Sequence, residues 1–514
     1  MTFFPTPHRP PEPRLRAARG TRSVVPSASA LGLTSPHAAS DIEKLGWNNE
    51  ESVGLLYLLA SVGDPGLALN TLYRLNESLG PGSKDATAFL DAMRSNEVVR
   101  ARVLALVGGS AALGDHLVAH PHLWTYFAEP VPHREEMMAA MLSSVDADPV
   151  AESLSAGHDH ESFVSQVPHS RTVGRPVAHG GEGSVREGSV DPRVAKAGMY
   201  RAGVTGTDAC SRLKYAYRTL LMRIAAADLA STMPMGGPYS SDNHSSSRGR
   251  SVRGTGGHGS SWGSSVVMHP WAEESKGRAV ASVNEKRAMA HPIGFVEVSA
   301  ALSDLADAAL TAALSVAVAT VYPGECDVDL ELAVIAMGKC GARELNYISD
   351  VDVIFVGGDA EATTTRVASE FIKVGSRCFF EVDAALRPEG KSGALVRTVE
   401  SYLSYYERWA ETWEFQAQLK ARPMTGSMGL GQAYVQAIQR HVWQASQRDS
   451  FVDDTRHMRR RVIENIPKEQ QDRELKLGVG GLRDVEFAVQ MLQMVHGRIV
   501  PICGFGQLLV LFKR

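Results

Sequence analysis

Two aspartates one residue apart, in the run Ser349-Asp350-Val351-Asp352-Val353-Ile354-Phe355, are the side chains of this sequence best suited to chemistry. Successive side chains of a β-strand point to opposite faces, so a strand here sends Asp350 and Asp352 to one side and Val351, Val353 and Phe355 to the other. Two carboxylates that close repel unless one is protonated or a cation bridges them. A hard divalent ion such as Mg²⁺ relieves the repulsion, because it takes oxygen ligands and works beside substrate phosphates. On this motif alone, a solvated edge strand with two incidental acids is the plain alternative. Asp383, in an apolar run over 378–384 that reads as a neighbouring strand, can supply a third carboxylate.

The surrounding residues strengthen the first reading. A buried-strand run over 330–336 leads into Gly338-Lys339 and Gly341, and then into a short helical stretch over 342–346. A glycine bend feeding a helix N-terminus presents backbone N–H groups to phosphate oxygens. Three acids and such a bend are the parts of a two-metal phosphoryl or nucleotidyl transfer site. Arg387 and Lys391 follow Asp383 in the sequence. Glu474 and Lys476 alternate on one face of a short extended segment and can reach the same pocket. Rival signatures are missing: Gly338-Lys339 is followed by Cys340 rather than Ser or Thr, Gly478-Val479-Gly480-Gly481 lacks the dinucleotide spacing, and there is no H-E-x-x-H or serine nucleophile elbow.

The elements that must carry these residues are mostly helical. The chain has 514 residues, 44% of them apolar and 21% charged, with 53 basic against 57 acidic side chains and a net charge of −4. That balance supplies a core and argues against a surface built to bind nucleic acid. Five cysteines with no C-x-x-C pair exclude a disulfide scaffold and a Cys-rich zinc module, and fit a reducing, cytoplasmic setting. The apolar stretch over 298–321 holds Asp304 and Asp307 at helical spacing, so it reads as a buried helix rather than a membrane span. The expected organisation is a disordered Pro/Arg-rich tail over 1–40, a helical region over 41–150, a disordered insertion over 151–206, a helix over 207–231, a Ser/Gly-rich disordered insertion over 232–292, a small α/β core with a leading helix over 293–425, and a truncated helical region over 426–514. The fold class is therefore α+β, a small mixed sheet embedded between helical regions. The histidines at 158, 160, 169, 244 and 258 read as solvated linker residues, the basic run 456–461 as a salt-bridged helix face, and Trp409 and Trp413 as core-packing aromatics at i, i+4.

The string Ala336-Met-Gly-Lys-Cys-Gly-Ala-Arg-Glu-Leu-Asn-Tyr-Ile-Ser-Asp-Val-Asp352 resembles the nucleotidyltransferase signature of the bifunctional glutamine synthetase adenylyltransferase/adenylyl-removing enzymes, the glutamate-ammonia-ligase adenylyltransferase family. Three more stretches agree in order and spacing: Val382-Asp383…Leu386-Arg387-Pro388…Gly393, Tyr405-Tyr406-Glu407…Trp413-Glu414…Lys420-Ala421-Arg422, and Glu474-Leu-Lys476…Gly480-Gly481-Leu-Arg483-Asp484-Val-Glu486-Phe487. The family joins two nucleotidyltransferase halves by a helical linker. A single signature in an N-terminal position implies the half that removes AMP from a tyrosine of glutamine synthetase by phosphorolysis, giving ADP, with the adenylylating half missing from a partial chain. The resemblance further implies that Asp350, Asp352 and Asp383 are catalytic and hold two Mg²⁺ ions, one orienting phosphate and one stabilising the leaving tyrosyl oxygen. Gly338 and Lys339 would hold phosphate oxygens, with Arg387, Lys420 and Lys476 as further phosphate or nucleotide contacts and Lys391 and Arg422 as further candidates to neutralise charge, surface salt bridging being the alternative for these basic residues. The implied partners are glutamine synthetase, ATP or ADP with phosphate, and a PII-type nitrogen signalling protein. The alternatives are an inactive or regulatory fragment, and a related protein uridylyltransferase.

Overall fold

The computed structural model describes residues 25–149, 199–233, 293–324, 330–359 and 361–496. Most of both expected insertions, with their histidines, falls outside those residues. The described residues divide into two compact units, one within Met1–Glu129 and Leu229–His291, the other within Pro130–Asp228 and Pro292–Arg514.

The first unit is helical. Asp64 starts the helix Pro65–Leu79 by accepting the Leu67 N–H at 2.9 Å, with Pro65 at the first position, where its missing N–H costs nothing. Leu69, Leu72 and Leu75 then fall on its buried face. The expected tail ends sooner than its composition suggests: Ser29–Leu31 forms a helical turn, Leu31 and Leu33 are buried, and the helix Ala38–Lys44 follows.

The second unit is layered around a mixed sheet. Its elements in chain order are α1 (Arg134–Ser143), α2 (Gly206–Ala230), α3 (Phe295–Val321), β1 (Leu332–Ala336), α4 (Gly338–Gly341), β2 (Val351–Gly357), α5 (Ala362–Cys378), β3 (Val382–Asp383), β4 (Val396–Arg397), α6 (Val399–Arg408), α7 (Thr412–Gln418), β5 (Arg422–Gly426), α8 (Met428–Ala445), α9 (Phe451–Glu464) and α10 (Leu482–His496). β1 lies between β2 and β5, antiparallel to both, while β3 and β4 pair parallel with β2. Strand β2 is apolar on both faces, as a strand covered on both sides must be. Val351, Val353 and Phe355 enter one core with α3 and α5. Ile354 and Val356 enter another with Tyr402, Tyr406 and Tyr434. The phenols of that second core are satisfied internally: Tyr402 donates to the Phe355 carbonyl at 3.1 Å, Tyr434 to Gln418 at 3.0 Å, and Gln418 to Tyr406 at 2.7 Å.

Among the described residues, α3 is the single helix whose own length and composition would suffice to cross a membrane, but most of its apolar window is buried within the protein. Ser303 and Thr311 turn their hydroxyls back onto helix carbonyls, which lets polar residues sit in a helix buried all round.

Three elements differ from their sequence reading. The run 378–384 is helical up to Cys378 and extended only at Val382–Asp383, because α5 keeps its apolar period until Phe371, Gly375 and Cys378 are packed. The helical stretch expected over 342–346 lies earlier, at Gly338–Gly341. Strand β5 has no counterpart in the sequence reading: its last three residues are buried, and it fills the free edge of β1. Trp409, expected in the core, is 74% exposed; it terminates α6 instead of continuing it to Trp413.

Candidate metal and phosphate site

Asp350 closes the loop before β2, and Asp352 is the second residue of the strand, on the face it shares with Ile354 and Val356. Both line a cavity of about 350 Å³. Asp383 is brought to the same place by the sheet, since the parallel β2–β3 pairing sets it in register with Asp352. Its side chain is partly committed, with Oδ1 accepting the Ala385 N–H at 2.8 Å, and Asp383 is not among the residues that line the cavity.

Burial, and then the negative charges of Asp350 and Asp383, push the Asp352 carboxyl up to about 6, against the opposing pull of Lys339 and Arg483. Buried, mutually repelling oxygens of this kind suit a hard cation. Among the described residues no three acidic, His or Cys side chains already converge as a metal-holding group. The donor chemistry thus fits a divalent ion at Asp350 and Asp352, with Asp383 near enough to be felt electrostatically but outside the cavity lining.

The glycine bend does its work through close approach. Gly338 has φ +54, and a Cβ there would stand 2.5 Å from Asp352 Oδ2. A side chain at Gly341 would run into the Lys420 carbonyl. The loop back to Asp350 is set by Arg343, whose left-handed φ of +60 is held by Nη2 bonds to both Asp304 oxygens at 2.6 and 2.7 Å. Gly338→Ala is therefore expected to lose divalent-ion binding and to lower stability by about 1–3 kcal/mol, the cost of a left-handed non-glycine residue. A Mg²⁺ titration and a thermal melt check it.

The predicted cations separate into two groups. Lys339, Lys420 and Lys476 all line the cavity. Lys339 Nζ lies 3.4 Å from Ser349 Oγ, and Lys420 pairs with Glu344 at 3.2 Å. Arg387 does not line it: its guanidinium donates to the carbonyls of Ala384, Lys391 and Gly393 at 2.6, 3.1 and 3.1 Å, clasping the loop that follows Asp383. Arg422 is likewise structural, in a two-pronged bond to buried Asp307. The segment of Glu474 and Lys476 is a turn rather than an extended run, with Glu474 Oε1 accepting the Lys476 and Leu477 N–H groups at 2.9 and 3.0 Å.

Sequence reasoning missed the wall made by Gln416, Arg483, Glu486 and Gln490. A signal was present, because 483, 486 and 490 lie at i, i+3 and i+7 on α10 and share one face of that helix.

The profile of the glutamate-ammonia ligase adenylyltransferase family matches residues 285–437, and that of the GlnD PII-uridylyltransferase family matches 456–511. Curated proteins named "bifunctional glutamine synthetase adenylyltransferase/adenylyl-removing enzyme" are similar over 93% of this chain: 51% identical in Corynebacterium efficiens, 44% in Nocardia farcinica and 40% in Mycolicibacterium smegmatis. The chain spans 39%, 38% and 38% of the lengths of those relatives, within their N-terminal half. The signature loop over 336–352 falls inside the first of those profile matches, and over most of its length the chain is similar to the N-terminal half of proteins of the glutamate-ammonia ligase adenylyltransferase family.

Proposed function

We propose that this chain is a nucleotidyltransferase-type domain that removes AMP from an adenylylated tyrosine of glutamine synthetase by phosphorolysis, releasing ADP. The observation that carries this reading is the cavity itself, where Asp350 and Asp352 face four cations, Lys339, Lys420, Lys476 and Arg483. Acidic oxygens for a metal opposite a basic lining for phosphate are what phosphoryl chemistry requires, since its catalysis is largely positioning and charge stabilisation.

In the reaction, an oxygen of inorganic phosphate forms a bond to the AMP phosphorus, and the phosphorus–tyrosyl oxygen bond breaks. A phenol ionises near pH 10, so its oxygen leaves readily once its charge is stabilised. Asp350 and Asp352 would hold Mg²⁺, which would supply Lewis-acid stabilisation of the attacking and leaving oxygens. Lys339 and Lys420 neutralise the phosphate oxygens, and the Gly338 bend leaves room for them beside Asp352. A PII-type protein and a cytoplasmic setting belong to the same proposal.

The direction of transfer is tested by supplying the chain with Mg²⁺ and either adenylylated glutamine synthetase plus phosphate, or unmodified enzyme plus ATP. ADP release in the first mixture is the expected result; AMP incorporation in the second, with none released in the first, overturns the direction. The uridylyltransferase profile over 456–511 motivates a third arm with UTP and a PII-type protein, in which no transfer is expected.

A further inference from the structure

The turn between α9 and α10 is built to hold cations at the cavity. The Leu482 N–H donates to the Leu475 carbonyl and the Arg483 N–H to the Lys476 carbonyl, both at 2.9 Å, which sets Lys476 beside Arg483. Arg459 of α9 ties the turn from behind, donating to the Gly478 carbonyl at 2.7 Å and to Asp484 Oδ1 at 2.5 Å. Asp484 Oδ2 accepts the Gly480 N–H at 2.6 Å.

The Arg483 side chain is oriented in turn. Its Nη1 donates to Glu486 Oε2 at 2.8 Å, Glu486 Oε1 accepts from Gln490 Nε2 at 3.3 Å, and Gln490 Oε1 accepts from Gln416 Nε2 at 2.5 Å. The chain of bonds runs from α7 to α10, so Glu486 is fixed at both oxygens. Its bond to Arg483 occupies one of the five N–H donors a guanidinium carries, in a planar fork suited to phosphate. Arg483 lines the cavity opposite the acids, and its charge is felt at Asp352, where it opposes the effect of burial.

We propose that Arg483 grips a phosphate group of the nucleotide in this cavity, and that Glu486 is the positioning residue that aims its guanidinium. The proposal rests on the nucleotidyl-transfer reading of the cavity but not on the direction of transfer. The probe is Mg·ADP, titrated calorimetrically into the full chain, with Mg²⁺ alone as the reference. Arg483→Met is expected to weaken Mg·ADP binding by about tenfold or more, the scale of a charge-assisted hydrogen bond, without weakening the binding of Mg²⁺ alone, since it removes a positive charge from beside Asp352. Arg483→Lys should recover part of the loss, a point charge replacing a fork. Glu486→Gln should weaken binding by about threefold, and the Arg483→Met/Glu486→Gln double variant should bind no more weakly than Arg483→Met, because Glu486 acts through Arg483.

Wild-type affinity in Arg483→Met overturns the proposal, as does a double variant whose loss is the product of the two single losses. Should Arg483→Met fail to fold, a folded Glu486→Gln with unchanged affinity overturns it as well. A wild-type chain that binds neither Mg·ADP nor Mg·ATP removes the transfer reading itself, which separates that failure from this one.

Discussion

Replacing Asp350 and Asp352 together by asparagine is expected to cut Mg²⁺- and phosphate-dependent ADP release by about 10³-fold or more, the scale on which a principal charge-stabilising group acts in phosphoryl transfer. The fold should survive. Asp352 is flanked by fully buried Val351 and Val353, and its carboxylate oxygens contribute repulsion rather than packing. The native carboxyl is pushed up to about 6 from the ordinary 3.8, so it binds its proton more tightly than in the unfolded chain. Without a cation, the stability this group contributes is present at low pH and is lost as pH rises through about 6. At pH 7.5 asparagine removes that cost, and the metal-free double variant should melt no lower than the wild type. Mg²⁺ should raise the wild-type melting temperature and leave that of the variant unmoved. Far-UV circular dichroism, melts with and without Mg²⁺ and an ADP-release assay read all three. Retained activity, or a Mg²⁺ shift that persists, would end the assignment of the metal to this pair.

The acidic half of the site was legible because strand alternation is a local property. Asp352 emerges from period-2 reasoning alone, whereas Asp350 lies in the loop just before β2, where alternation does not apply, and the pairing of Asp352 with Asp383 follows once 382–383 is recognised as a neighbouring strand. The cationic half was harder to read. A basic residue near a motif says nothing about which carbonyl or carboxylate will claim it: Arg387 is taken by three carbonyls of its own loop, and Arg422 by Asp307, far away in sequence. Strand β5 was missed for a related reason. Arg422-Pro423-Met424-Thr425-Gly426 has little β propensity, and it is extended because β1 offers an unpaired edge, with a register shift between Val334 and Ile335 accommodating it. Tertiary pairing decided that segment, and no window of local sequence carries the information.

Asp307→Ala is expected to be the most damaging single substitution away from the cavity. Asp307 lies on α3 with its side chain fully buried, and it accepts from Arg422 Nη1 and Nη2 at 2.8 and 2.9 Å and from Arg134 Nη1 at 3.2 Å. Arg422 also donates to the Gly341 and Cys340 carbonyls at 3.2 and 3.0 Å, so one guanidinium joins α3, the glycine bend and β5. Removing the carboxylate leaves that guanidinium, 21% exposed, without its counter-charge, and breaking a buried pair this way costs about 3–5 kcal/mol. The loss should appear as a lower urea midpoint at an unchanged slope, since the surface exposed on unfolding is the same. Asp307→Asn keeps one acceptor oxygen and should fall between alanine and wild type. Arg422→Lys cannot reproduce the two-pronged bond and should also be intermediate. Because Arg422 suspends the bend that carries Gly338, Asp307→Ala should weaken Mg²⁺ binding as well, although Asp307 is not among the residues that line the cavity. A loss of less than about 1 kcal/mol, the range of a solvated surface pair, would mean that water reaches this pair and that the bend is held in place by other contacts.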